Sequence, residues 1–254
     1  MQYAICIVPV AHVRLLPDHR AEMVNQLLFG ESVKVHSIDK EGWMQVEGCW
    51  DGYTGACRLN QFILLEEPLE ESAEFTGDWV EEILVNDQKL MIPFGSNLSI
   101  LKNEKHPHKI IYNGNIFKAN GTTSRADDIK KISSIFLNTA YLWGGKSVFG
   151  IDCSGFVQSV YKMLNVALLR DANTQVALGE PIGFLQEARC GDLAFFDDAD
   201  GKIIHVGILL NDHEIIHSSG NVRIDPIDNE GIINSTTQKR THQLRIIKRV
   251  PENA

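Results

Sequence analysis

The sequence predicts an α+β fold for the C-terminal half of the chain, helices first and an antiparallel sheet after, preceded by two small β-barrels. Three observations carry this. Short β-type runs separated by Gly and Asp turn signals fill the first 65 positions, the texture of a small barrel. A Phe-Gly pair and the strand after it recur 65 residues on, as Phe29-Gly30 before Val33-Lys34-Val35 and Phe94-Gly95 before Leu98-Ser99-Ile100, which suggests a diverged duplication. Beyond about residue 120 a helical period appears twice and then gives way to short apolar runs.

In chain order, AICIVPV, ESVKVHSI, GWMQVEG and YTGACR read as strands of a first barrel over 1–65. EEPLEESAEFTGD at 66–78 is acidic, carries Pro68 and lacks a period, so it reads as a linker, with the second barrel over 79–120. KANGTTSRADD at 118–128 is polar and turn-rich, and Ser124 with Asp127 and Asp128 offers N-cap chemistry for a helix from about 128. A third domain, 121–254, opens there. Ile129, Ile132 and Phe136 fall on one helical face, and a second helix from about 153 to 165 places Val157, Val160, Tyr161 and Leu164 on one side. LAFF, IIHVGILL, EIIHSS and HQLRIIKR then supply the sheet.

The 254 residues are 44% hydrophobic and 22% charged, enough to build real cores, and disordered and fibrous classes are excluded. Twenty-four basic against 33 acidic side chains leave a net charge of −9 with no basic stripe. That balance repels phosphate backbones and anionic lipid, so neither nucleic acid nor membrane is expected as a partner, and no apolar run approaches the ~20 residues of a membrane span. Five cysteines cannot all pair and none forms CxxC, which fits a reduced compartment. The N-terminus lacks a basic stretch followed by a sustained apolar one, and the chain reads as cytoplasmic. Of nine scattered histidines only His106 and His108 are close, with no Cys or acidic cluster beside them; no metal and no cofactor is expected.

The chemistry concentrates at Cys153. It stands in FGIDCSGFVQSVYK after a Gly-rich turn and at the first turn of the second helix. Free N–H groups and the helix dipole favour thiolate over thiol there, and the same groups can donate to an oxyanion. The other four cysteines read as small buried apolar groups. His205 in IIHVGILL and His217 in EIIHSSG interrupt apolar strands. In an antiparallel hairpin paired numbers sum to a constant, and because 205 + 217 is even, an odd-membered loop puts both rings on one face. A three-residue loop at 211–213, pairing Leu210 with Glu214, does so; a two-residue loop at 211–212 puts them on opposite faces. A helix-start cysteine, a histidine base (His205) and a third group orienting it (His217) make a papain-type nucleophilic arrangement.

Through YLWGGKSVFGIDCSGFV, GDLAFF, HVGILL and IIHSSG, the chain resembles the NlpC-type family of papain-like cell-wall peptidases, over roughly residues 140 to 220. RAEMVNQLLFGE, GWMQV and DGYTG are similar to the subgroup of γ-D-glutamyl-L-diamino acid peptidases, of the dipeptidyl-peptidase VI type, which carry two SH3-like barrels before the peptidase domain. The resemblance implies a cysteine peptidase of murein-peptide recycling, acting on L-Ala-γ-D-Glu-diamino acid peptides with Cys153, His205 and His217. It also implies Glu22 and Tyr53 as holders of the substrate's free amino terminus, a task for which Asp152 is a second acid. Tyr141 is implied as a donor to the acyl group, Ser154 as a partner near the D-Glu α-carboxylate, and Arg170-Asp171 as a cleft segment whose arginine answers a substrate carboxylate or forms a surface ion pair. Asp192 reads as a structural turn acid. Amidase or acyl-transfer chemistry with the same triad, and murein-peptide binding without turnover, stand as alternatives.

Overall fold

A computed structural model describes residues 2–69, 73–102, 108–118 and 125–251. The chain divides into two compact units, Met1–Ala119 with Trp143–Phe149, and Asn120–Leu142 with Gly150–Ala254. The expected third domain is thus interrupted: its residues Trp143–Phe149 belong to the N-terminal unit.

In the N-terminal unit, β1 (Gln2–Cys6), β2 (Val10–Arg14), β3 (Met23–Leu28), β4 (Ser32–Ile38), β5 (Trp43–Gly48), β6 (Thr54–Arg58) and β7 (Phe62–Leu65) form one sheet in the order β3-β2-β6-β5-β4-β1-β7. The run AICIVPV is two strands, broken around Pro9, whose missing N–H cannot join a ladder. Alternation along β1 sends Ala4 and Cys6 into a core with Val13, Val33, Val35, Met44 and Val46. Ile5 points the other way, into a second core with Phe29, Ile63, Leu65, Ile83, Ile92 and Ile100.

Strands β8 (Glu74–Thr76), β9 (Val80–Val85), β10 (Gln88–Pro93), β11 (Ile110–Tyr112) and β12 (Ile116–Lys118) complete that second core, arranged as a sheet β10-β9-β11 and a pair β12-β8. Strand β8 corrects the expected linker, whose acidic residues hid a short strand; residues 70–72 of that linker lie outside the described residues. The backbone bonding of β1–β3 recurs here. Cys6 N–H to Glu31 C=O, Phe29 to Pro9, Gly30 to Cys6 and Glu31 to Leu28 (2.9, 3.2, 2.9 and 3.1 Å) are matched by Thr76 to Ser96, Phe94 to Trp79, Gly95 to Thr76 and Ser96 to Pro93 (3.0, 3.0, 3.3 and 3.2 Å). Gly30 and Gly95 both sit at φ +80°, where a side chain is strained. The pair Cys6↔Phe62 is echoed by Thr76↔Ile116, and Ile5↔Ser32 by the bridge Phe75↔Asn97. Among the described residues no strand takes the place of β5. The chain instead runs through a 3-10 turn, Ser99–Lys102, into 103–107, outside the described residues together with His106; His108 hydrogen-bonds Asn86 at 2.7 Å. The last strand of this unit is β13 (Lys146–Ser147), and Lys146 gives its N–H to Gln26 (2.8 Å) and its ammonium to buried Glu31 (3.3 Å).

The C-terminal unit holds α1 (Arg125–Ile135), β14 (Gly150–Ile151), α2 (Cys153–Met163), α3 (Ala172–Gln175), β15 (Glu180–Ile182), β16 (Leu193–Asp197), β17 (Ile203–Leu209), β18 (Glu214–Ser219), β19 (Asn221–Asp228), β20 (Gly231–Ile233) and β21 (Arg240–Arg249). Helix α1 starts three residues before the expected 128, with Asp127 and Asp128 in its first turn where the dipole favours acids; Ser124 lies outside the described residues. Ile129, Ile132 and Phe136 are buried as expected. Helix α2 differs from its one-sided pattern: all eleven residues are buried, because β17 and β18 pack on it together with α1 and α3. Its polar Gln158 survives inside by donating to Leu168 C=O at 2.9 Å.

The sheet runs β15-β21-β16-β17-β18-β19-β20, and β21 also pairs with β20, closing β16–β21 into a six-stranded barrel. Strands β19 and β20 escape the sequence reading because NVRIDPID, with Pro226 and two aspartates, carries the composition of a turn. One cluster with members from every barrel strand, including Ala194, Phe196, Leu209, Ile215, Ile227, Ile232 and Ile247, fills its interior.

Candidate active site

Cys153 is the first residue of α2, and Asp152 caps the helix by accepting the Gly155 N–H at 2.7 Å. The residue before that cap is pinned to β18, Ser218 donating to Ile151 C=O at 2.8 Å. Behind the cap lies a buried cluster. Arg170, 2% exposed, grips both oxygens of Asp152 at 2.9 and 2.6 Å and donates to Ser154 Oγ at 3.0 Å. Ser154 donates to Asp152 at 3.3 Å, and Gln175 ties the Ser154 carbonyl at 3.1 Å to that of Leu169 at 2.8 Å. This corrects the reading of Arg170 as a surface ion pair, since its guanidinium is buried. Its charge is committed to Asp152, eighteen positions upstream, a pairing that only the folded chain creates. Asp171 instead stands at the N-cap position of α3, its carbonyl accepting from Thr174 and Gln175 N–H at 3.0 and 2.9 Å. Removing one partner of a buried pair leaves a bare charge, so Arg170→Ala should cost about 3–5 kcal/mol in denaturant unfolding, whereas Lys248→Ala on β21 should cost under about 1.

The thiol departs from its sequence expectation. Burial pushes Cys153 up to about 11, the charge of Asp152 adds to the rise, and the backbone of Val206 and Ser154 and the charge of Arg170 oppose it. Helix-start stabilisation of a thiolate is therefore outweighed by desolvation. Tyr141 is raised to about 12, by burial first and then by Cys153 and Asp152, and stays a hydrogen-bond donor. Its backbone is fixed beside the nucleophile segment, with its N–H on Gly220 C=O at 2.9 Å and a bridge to Ile151.

His205 reaches the sulfur's neighbourhood through the chain, since the adjacent Val206 meets Cys153 through its backbone. The hairpin is the odd-loop one. Gly207↔His217 and Leu209↔Ile215 pair, and Leu210 N–H meets Glu214 C=O at 2.9 Å. The rings become diagonal neighbours, His205 Nε2 to His217 Nδ1 at 2.8 Å. Gly207 makes room: a Cβ there would lie 2.8 Å from the Cβ of His217. Sequence reading stops one residue short. His217 Nε2 meets Asp225 at 3.1 Å, and Asp225 also accepts from Arg223 twice at 2.9 Å and from Ser235 N–H at 2.9 Å. Burial raises Asp225, but the bonds from His217, Arg223 and Ser235 outweigh it and hold the carboxyl well below its usual range. The same parity holds across the Gly220 turn, where Ser219↔Asn221 gives an even sum, but it could not be applied from sequence because β19 reads as a turn.

This row fixes the protons. An ionised Asp225 only accepts, so His217 carries its proton on Nε2, and its bare Nδ1 accepts from His205 Nε2–H. His205 Nδ1 is then left as the basic nitrogen. Burial, followed by His217 and His242, lowers His205 well below 6.5, so the ring is neutral at pH 7. His242 is the other residue that sequence reading misses; it stacks on His205 with centroids 4.1 Å apart.

Glu22 and Tyr53 belong to the N-terminal unit. Glu22 is exposed and accepts the indole N–H of Trp143, of the same unit, at 2.6 Å. Tyr53, half-buried, opens the turn into β6, where its N–H meets Asp51 at 3.0 Å. Asp192 is the turn acid it was read as, accepting from Arg189 N–H at 2.8 Å and from Arg249 at 2.8 and 2.6 Å. No group of His, Cys, Asp and Glu fit to hold a metal occurs among the described residues, and none of their helices is long and apolar enough to cross a membrane.

Residues 138–241 match the NlpC/P60 family, and 13–55 match the bacterial dipeptidyl-peptidase Sh3 domain. A Bacillus cereus protein named gamma-D-glutamyl-L-lysine dipeptidyl-peptidase is 26% identical over 85% of this chain and 68% of its own length. A Bacillus subtilis protein of the same name is 40% identical over 37% of this chain and 32% of its own length. Dipeptidyl-peptidase 6 of Lysinibacillus sphaericus is 26% identical over 89% and 92%. Among solved structures, an NlpC/P60 family protein from Bacillus cereus superposes with a TM-score of 0.77 at 21% identity, over 97% of this chain and 99% of that one. An NlpC/P60 endopeptidase from Photobacterium damselae does so at 0.64 and 14%, over 96% and 65%. At these identities the superpositions speak for the fold alone.

Proposed function

From the premise that this chain carries an NlpC/P60 domain preceded by a bacterial dipeptidyl-peptidase Sh3 domain, we propose that it is a cysteine peptidase cleaving the γ-D-glutamyl-diamino acid bond of murein peptides with a free N-terminal L-Ala. The observation that carries the chemistry is the row Asp225–His217–His205, which leaves a bare imidazole nitrogen next to the chain position that meets Cys153. His205 Nδ1 takes the thiol proton as sulfur attacks the γ-carbonyl; the tetrahedral adduct collapses to a thioester, and the imidazolium returns the proton to the leaving amine. Water, deprotonated by the same nitrogen, releases L-Ala-D-Glu and regenerates the thiol. Because the resting thiol is raised and His205 is neutral, proton transfer accompanies attack rather than preceding it as an ion pair.

In this reading Tyr141, which keeps its proton, donates to the acyl group. Asp152, Arg170 and Ser154 hold the helix start, with the Ser154 hydroxyl donating to Asp152; on the resemblance, Ser154 and Arg170 remain candidates for the D-Glu carboxylate and Asp152 for the α-ammonium. Glu22 and Tyr53 remain candidates for the α-ammonium on the resemblance to the dipeptidyl-peptidase subgroup. The recurrence of the β1–β3 bonding in β8–β10 supports reading 74–118 as a second, diverged SH3-like barrel whose described residues hold no counterpart of β5. A cytoplasmic role in peptide recycling extends the proposal; all five cysteines are free.

The test is mass spectrometry of products from L-Ala-γ-D-Glu-diaminopimelate, its lysine counterpart and their N-acetylated forms. Release of L-Ala-D-Glu is expected, with the acetylated peptides at least about tenfold slower, since one charge-assisted bond is worth ~1.5–3 kcal/mol. Glu22→Gln should shrink that discrimination. Removing 1–65 outright is a poorer test, because Ile5, Phe29, Ile63 and Leu65 build the core beneath Ile83 and Ile92. Cleavage elsewhere, or none, would sink the proposal, and undiminished discrimination in Glu22→Gln would withdraw Glu22.

A further inference from the structure

The family match ends at residue 241, and no sequence motif marks the next residue. Yet His242 covers one face of the His205 ring, with centroids 4.1 Å apart and planes 23° from parallel. His217 meets both rings edge-on, at 5.0 Å from His205 and 5.9 Å from His242. Phe196 flanks the stack, 5.6 Å from His205 and 5.9 Å from His242. Barrel closure makes this possible: β21 pairs with β16 through Phe196↔Leu244 and with β20 through Ile232↔His242, so the end of the chain returns to the ring that β17 supplies. Thr241 Oγ1 holds His242 Nδ1 at 2.9 Å. Burial, then His217, lowers His242 to about 4 against the opposing pull of Asp225, so a neutral ring lies on His205 at pH 7.

We propose that His242 is a positioning residue of the reaction, holding the plane of the His205 imidazole and keeping water off the His205–His217 hydrogen bond. The proposal rests on the peptidase reading only for what His205 does; the shielding itself is a property of the rings. Uncovering one face of a buried imidazole lets water solvate its cation and compete for Nε2–H, which moves the ring toward ordinary histidine behaviour and loosens the tautomer that leaves Nδ1 bare. The groups facing His205 are His217 from β18, His242 from β21, Phe196 from β16 and, through the Val206 backbone, Cys153 from α2. Asp225 and Arg223 on β19 act on it through His217.

Histidine side-chain NMR of the isotope-labelled full-length protein reads the His205 titration without any substrate. His242→Ala should raise the His205 midpoint by about one pH unit, and His242→Phe, which keeps a stacked ring, by less than half of that. In peptide turnover at neutral pH, His242→Ala should lose about tenfold in kcat/KM and His242→Phe should recover most of it. Should the alanine variant not fold, His242→Asn, a small polar replacement on a half-exposed strand, serves the same comparison. An unmoved His205 midpoint in a folded alanine or asparagine variant overturns the proposal, as does an equal shift in the phenylalanine one. A shifted midpoint in a protein that cleaves no murein peptide would overturn the peptidase reading while supporting this one.

Discussion

Replacing Cys153 with alanine should reduce turnover of the murein tripeptide by at least ~10⁴ while leaving the fold intact, because no other group can form the thioester and the small side chain fits where sulfur sat. The structure adds a second expectation. With the thiol held near 11, only about one molecule in 10⁴ carries thiolate at pH 7. Alkylation of Cys153 by iodoacetamide in the substrate-free protein should therefore climb about tenfold per pH unit from neutral pH toward 9. A rate already level at neutral pH would mean that the helix start and a cationic His205 win over burial, and that a preformed ion pair does the chemistry. A Cys153→Ala protein that still cleaves the peptide would remove the nucleophile from the proposed mechanism.

His205→Ala should cost ~10²–10⁴ in kcat, since it removes the proton acceptor itself. His217→Ala should cost less, because it misplaces the base without deleting it, and the reverse ranking in kcat/KM would exchange the two roles. Asp225→Asn is the sharper probe of the row. An amide can donate to His217 Nε2, which drives the proton to His217 Nδ1 and on to His205 Nδ1, blocking the basic nitrogen without moving a strand. We expect about a tenfold to hundredfold loss in kcat with little change in KM. The pH dependence has a definite sign: His205 must be neutral to act, and burial with its histidine neighbours places it well below 6.5. Activity should thus survive below pH 6.5 and fall only as His205 takes up a proton; an acid limb centred at or above 6.5 would contradict the buried row.

Much of the fold and of the site is legible in the sequence alone. The alternation of GWMQVEG and IIHVGILL, the helix start around Cys153 and the even sum of 205 and 217 rest on period-two strands, helix-end polarity and hairpin parity, all of them local rules that a short stretch of chain obeys by itself. Partners distant in sequence are not legible in the same way. Arg170 meets Asp152 rather than Asp171, Asp225 stands behind His217, and His242 returns on the last strand to cover His205; these contacts come from how α3, β19 and β21 close around α2 and the barrel. The thiol makes the same division. Sequence places Cys153 at a helix N-terminus, where local charge favours thiolate. How deeply the sulfur is buried is set by every element packed over α2, and the resulting desolvation reverses the balance because removing a charge from water outweighs a few partial charges at a helix end.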